Sequence, residues 1–245
     1  MEIGTRQIGQ SPRRNGHPVF IGTIGGIWAI VHGATAIWKV GNMGVPQLKR
    51  MLSYVVARVD HAIHRDDIAA IGSKRWPELA RSTNLPSALT RLFRNWGMAP
   101  ALHQNDDYLT LMRHECWISD TDLIEHYATA AAAHLAVGNS DSALASLHQA
   151  VTYCGGPYLP DYDVPDYSLS DEQQHWRHYQ RDILHQLARL HIDRAAYQDA
   201  LRVARKTSHL GDEESADDAL LADIYKSLGN LRLARYYRAK ADAAR

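Results

Sequence analysis

Three segments of the chain, "NSDSAL", "AYQDAL" and "NLRLAR", each open a helix directly after another helix ends, and each carries an alanine near its end: Ala143, Ala200 and Ala234. Ala200 and Ala234 are 34 residues apart, the tetratricopeptide period. Ala143 and Ala200 are 57 apart, and the loop "CGGPYLPDYDVPDYSLS" between them accounts for most of the extra length. Small residues are expected where two antiparallel helices approach closely, and a lone hairpin cannot bury its own apolar face, so the hairpins must stack. "DTDLIEHYATAAAAHLAVG" supplies the first helix, with capping residues at its start and Gly138 at its end. Three helix pairs are therefore expected from residue 116 to the last residue given, forming a short solenoid.

The first half of the sequence follows other rules. Residues 19–38, "VFIGTIGGIWAIVHGATAIW", contain no formal charge and are long enough to cross a membrane as a helix. Gly25-Gly26 and His32-Gly33 instead cut the stretch into short runs rich in Ile, Val and Trp with turn chemistry between them, which predicts a small antiparallel sheet. "MGVPQLKRMLSYVVARV" then shows a helical stripe of Leu48, Met51, Leu52 and Val55, and "HRDDIAAIGSKRW" a short helix with carboxylates in its first turn. A third helix is expected from near Asn84, with Pro86 in its first turn and Gly97 ending it. "PALHQNDDYLTLM" reads as two short strands around the turn "QNDD". Strands, three helices, then a hairpin is the order of a winged helix-turn-helix with an N-terminal sheet.

Charge separates the same two halves. The chain as a whole is neutral, with 27 basic and 27 acidic residues, but residues 1–115 hold 14 Lys and Arg against 8 Asp and Glu. The first half is thus +6 and the second −6. A basic module joined to an acidic one suggests a polyanion-binding unit with a second unit for another task. The two cysteines, Cys116 and Cys154, are too few for a disulfide framework or a zinc quartet, and they fit a reducing, cytoplasmic setting.

The basic residues of greatest interest lie in "SALTRLFRNWG". If Leu89, Leu92, Phe93 and Trp96 hold this third helix to the core, then Ser87, Thr90, Arg91, Arg94 and Asn95 are left to face outward. In a helix-turn-helix this is the helix that enters the major groove. Arg can bind guanine in bidentate fashion, while Thr and Asn can contact phosphate or adenine. Lys74, Arg75 and Arg81, just upstream, are candidate phosphate contacts.

The whole chain from about residue 19 resembles the antibiotic-regulatory-protein type of transcriptional activator, an OmpR-like winged helix-turn-helix fused to a bacterial transcriptional activator domain. The resemblance rests on "LKRMLSYVVARVDHAIHRDDIAAI", "LPSALTRLFRNWG" and "NDDYLTL" in the first half, and on "DTDLIEHYATAAAAHLAVGNSDSALASLHQAV", "GGPYLPD" and "WRHYQRDILHQLARL" in the second. It implies a mainly α chain with a small β component, in which a flexible basic tail (1–18) precedes a winged helix-turn-helix (19–115) and a tetratricopeptide-like all-α activator domain (116–245). It also implies a homodimer on double-stranded promoter DNA that recruits RNA polymerase, with no role at a membrane. One departure is the wing, where Asp106 and Asp107 place carboxylates at a position that would lie beside phosphates.

No P-loop, no GxGxxG followed by a helix, and no nucleophile paired with a base is evident, so neither an enzyme nor a cofactor is expected. His175, His178, His185 and His191 lie along one predicted helix without an evident acidic or Cys ligand to complete a metal set. Tyr158, Tyr162 and Tyr167 in the long loop are expected to pack onto the solenoid, with a partner-binding patch as the alternative. Two further readings are a protein-interaction adaptor whose winged helix no longer binds DNA, and a regulator that senses a small ligand near residues 158–179.

Overall fold

A computed structural model describes residues 18–38, 44–72, 85–164, 167–211 and 214–244. The uncharged stretch is a sheet. β1 (Val19–Gly22) pairs antiparallel with β2 (Trp28–Val31), and β2 with β3 (Ala34–Thr35). His32 and Gly33 both take positive φ, 46° and 91°, which matches the right-handed twist of the strands that they join. Among the described residues no helix is long and apolar enough to cross a membrane.

Next come α1 (Val45–Ala57), the two-residue β4 (Ile63–His64), α2 (Arg65–Gly72) and α3 (Leu85–Asn95). The wing follows as β5 (Leu102–Gln104) and β6 (Tyr108–Leu111), which form a second sheet in the order β4-β6-β5. Neither β4 nor the next strand, β7 (Trp117–Ser119), is foreseen from the sequence. β7 pairs in parallel with β1, Val19 lying opposite Trp117, so the first sheet continues past residue 116. Both faces of β1 are buried, which is why its run "VFIG" is uniformly apolar rather than alternating.

The second half is helical throughout: α4 (Asp120–Ala136), α5 (Ser140–Tyr153), α6 (Ser170–Asp193), α7 (Tyr197–Ala204), α8 (Ser215–Ser227) and α9 (Leu231–Ala243). They pack as three hairpins, α4 with α5, α6 with α7, and α8 with α9. Asn139 and Asn230 cap the second helices of the outer two hairpins, their side chains accepting from the amides of Ser142 and Leu233 at 3.1 and 3.2 Å. Ala143 and Ala200 are fully buried between helices. Ala234 is only half-buried, because α9 packs chiefly on α8.

The architecture is thus a winged helix-turn-helix followed by an all-α, tetratricopeptide-like array. The basic tail lies outside the described residues, apart from Pro18. The two halves interlock. Asp120, at the start of α4, is fully buried beneath the β1–β2 turn, where its carboxylate accepts from the amides of Thr23 and Ile24, both at 2.8 Å, and from the Thr23 hydroxyl at 2.6 Å. The Gly-Pro loop reaches the same turn, with Gly25 donating to the Pro157 carbonyl and Leu159 to that of Thr23.

The loop tyrosines therefore serve both halves, not the solenoid alone. Tyr162 stacks on Tyr54 of α1 with ring centroids 6.3 Å apart, Tyr167 meets Tyr54 edge-on at 5.8 Å, and Tyr158 stacks on Trp176 of α6. The Tyr167 hydroxyl donates to Asp67 of α2 at 3.2 Å. Trp117 is buried at this junction, its indole N–H donating to the Met112 carbonyl.

Candidate nucleic-acid interface

The third helix is built as its sequence dictates. Leu89, Leu92, Phe93 and Trp96 are buried, and each of the aliphatic and phenyl side chains contributes about 1.5 to 3 kcal/mol by leaving water. Trp96 is fixed edge-on between Trp38, at 5.2 Å, and Phe93. Gly97 ends the helix with φ +80°, a conformation that other residues adopt only with strain. The opposite face carries Arg91, Arg94 and Asn95, all exposed. Arg91 and Arg94 are one turn apart, and among the described residues no carboxylate pairs with either.

Two of the expected outward residues are placed differently. Thr90 is buried, 6% exposed: its hydroxyl lies 3.0 Å from the Pro86 carbonyl and 3.2 Å from the Gln104 side-chain oxygen. A threonine hydroxyl can bond back to the carbonyl four residues earlier in its helix, and here Gln104 of the wing covers it as well. Ser87 is half-buried, and its hydroxyl accepts from the Arg65 guanidinium at 3.3 Å. Lys74, Arg75 and Arg81 lie outside the described residues.

Arg65 and Gln104 are the members of the site that the sequence did not single out. Arg65 begins α2, its amide donates to the Asp107 carbonyl at 2.8 Å, and its guanidinium reaches both Ser87 and the Asn105 carbonyl. It therefore ties α2, α3 and the wing together. Gln104 ends β5 beside Thr90. Arg65, Ser87, Thr90, Arg91, Arg94 and Gln104 line one open depression of about 530 Å³ between α3 and the wing. In the sequence, Arg65 is masked by Asp66 and Asp67, which mark a helix start and cancel its charge locally.

The wing turn is set by Asn105, whose side-chain oxygen accepts from the amides of Asp107 at 3.0 Å and Tyr108 at 2.7 Å. That geometry leaves Asp106 and Asp107 exposed at the tip. The surface thus offers three guanidinium groups in the depression and two carboxylates at its far rim.

The histidines of α6 are distributed over several partners. His185 is buried and hydrogen-bonded to Asp217 at 2.7 Å, His178 pairs with Glu214 at 3.2 Å, and His191 faces His148. His175 stacks on Tyr179. Among the described residues no three His, Cys, Asp or Glu side chains converge as a metal site would require.

A winged helix-turn-helix with an exposed cationic face on its third helix, joined to helical hairpins, is the class that this fold and surface define. No family model matches the sequence, and no curated protein does. Among solved structures the chain is similar to Mycobacterium tuberculosis EmbR in complex with a low affinity phosphopeptide, with a TM-score of 0.73 and 16% identity. The match covers 91% of this chain and 59% of that one, and at this identity it is a likeness of fold.

Proposed function

We propose that the chain is a sequence-specific DNA-binding transcriptional regulator, an activator that lays α3 in the major groove of promoter DNA and recruits RNA polymerase through its helical hairpins. The observation that supports this best is the pair Arg91 and Arg94, exposed one turn apart and joined by Arg65 around a single depression. Arg91 reads a base, Arg94 a base or a phosphate, and Asn95 a phosphate or an adenine at the helix end. Ser87 and Thr90 shape the floor, and Arg65 holds the wing and grips the backbone. Lys74, Arg75 and Arg81 add phosphate contacts. Binding is as a homodimer on direct repeats. The reading is of a regulator, not an enzyme, without a cofactor, acting in the cytoplasm. It draws also on the resemblance of the sequence to antibiotic-regulatory-protein activators.

Fluorescence anisotropy on promoter and random duplexes tests it across about 50 to 200 mM salt. Arg91→Ala is expected to weaken promoter binding by about 1 to 3 kcal/mol and to relax specificity, whereas Arg65→Ala weakens both duplexes and flattens the salt slope by about 1. Unchanged affinity and specificity in both Arg91→Ala and Arg94→Ala would remove α3 as the reader. The exposed Asp106 and Asp107 favour a second reading, an interaction adaptor, because carboxylates at the wing repel phosphate. That reading predicts no DNA binding even at low salt.

A further inference from the structure

Where α1 of the winged half faces the Gly-Pro loop of the helical half lies a cavity of about 310 Å³, distinct from the recognition face. Its apolar lining is Ile27, Val45, Pro46, Leu159 and the Tyr162 ring. Its polar groups are unusual for a packing defect. Ser53 lines it and is only 3% exposed, yet its hydroxyl makes no hydrogen bond among the described residues, whereas Thr90, Ser208 and Ser227 each bond back to their own helix. That hydroxyl opens into the cavity instead of being sealed in the core, so it is free to bond whatever occupies the space. Lys49 and Arg50 also line it, the Lys49 ammonium lying 5.3 Å over the Trp38 ring and the Arg50 Nε donating to the Ile71 carbonyl at 3.4 Å, and Asp161 adds a carboxylate that takes part in no ion pair among the described residues.

We propose that this cavity is a binding site for a small amphipathic acid, an amino- or hydroxy-substituted carboxylate with an apolar body. The volume falls at the lower end of ordinary ligand pockets. The acid head lies at Lys49 and Arg50, the ligand's amino or hydroxyl group donates to Asp161, and the apolar body covers Ile27 and Leu159 while offering an acceptor to Ser53. Because the walls come from both halves, a ligand here binds the interlocked arrangement in preference to a separated one, and so stabilises it by mass action. The site is independent of DNA binding and stands or falls apart from it.

The probe is 8-anilinonaphthalene-1-sulfonate, which carries an anionic head, an N–H donor and an apolar body, titrated by fluorescence against the full chain. The expected result is saturable binding of one probe per chain. Lys49→Glu should weaken it at least tenfold, Ser53→Val several-fold, and Arg94→Ala not at all. 4-Hydroxyphenylacetate should displace the probe where neutral 4-hydroxyphenylacetamide does not. Circular dichroism melts confirm that each variant is folded, and half-buried Lys49 keeps the test open if Ser53→Val is not. Equal binding to the Lys49→Glu chain, non-saturable binding, or equal displacement by the amide would each overturn the proposal, leaving an adventitious apolar contact.

Discussion

Asp120 is the residue on which the junction of the two halves most depends. Burial pushes its carboxyl above the ordinary carboxylate range, an effect that the donors Thr23, Ile24 and Thr121 only partly offset. Removing the acceptor strands several buried donors at once, so Asp120→Ala is expected to cost about 3 kcal/mol or more. Chemical denaturation measures it, and a loss near zero would show that the β1–β2 turn has another anchor. Asp217 acts within the helical half. Burial would raise its carboxyl, but the hydrogen bond with His185 and the charge of Arg181, 3.1 Å away, hold it below the usual value. A depressed carboxylate stabilises the fold above its unfolded value of about 3.9 and loses that contribution as pH falls through the lower folded value. Denaturation curves taken from neutral to acid pH should therefore show the unaltered chain losing more stability than Asp217→Asn. Parallel losses would contradict the assignment. At neutral pH the same substitution costs about 1 to 3 kcal/mol, because it weakens the bonds to buried Arg181 and His185 while Glu214 still pairs with that guanidinium.

At the scale of elements, α3 is set by its two ends and its buried face. Gly97→Ala forces a side chain into φ +80° but meets no closer atom than His32 Nε2 at 3.7 Å, so strain is the only cost. A loss of about 1 kcal/mol in urea is expected, and one beyond about 3 would mean that the helix end bears more than its own cap. The elements visible in the sequence were those with local signals. Glycine-centred turns marked β1 to β3, apolar spacing marked α1 and α3, and Asn-led openings marked the outer hairpins. β4 and β7 were not legible, since strands of two and three residues carry no period, and β7 exists only because β1 offers it an edge. On the outer face of α3, Arg91, Arg94 and Asn95 are readable as exposed from the apolar stripe beside them. Thr90 was not, because a back-bond to Pro86 and a meeting with Gln104 are three-dimensional facts. Arg65 was hidden for the same reason: its role comes from the wing folding onto α2.

For the whole molecule, a +6 half and a −6 half are held together by a shared sheet, a buried carboxylate and a cluster of tyrosines. Modules joined in this way are expected to melt in one cooperative transition, with near-ultraviolet and far-ultraviolet signals superimposed. Two resolved transitions would mean that the junction is weaker than its contacts indicate. The interlocking also bears on function, because a helical unit rigidly attached to the winged unit presents a fixed surface beside any DNA that α3 occupies. The central claim is that α3 reads DNA, and the most direct measurement is a mobility shift on the DNA upstream of the protein's own gene, with excess random competitor and the Arg91→Ala chain alongside. A shift that resists competitor, falls steeply with salt and is lost in Arg91→Ala is the predicted result; absence of any shift at low salt would contradict it.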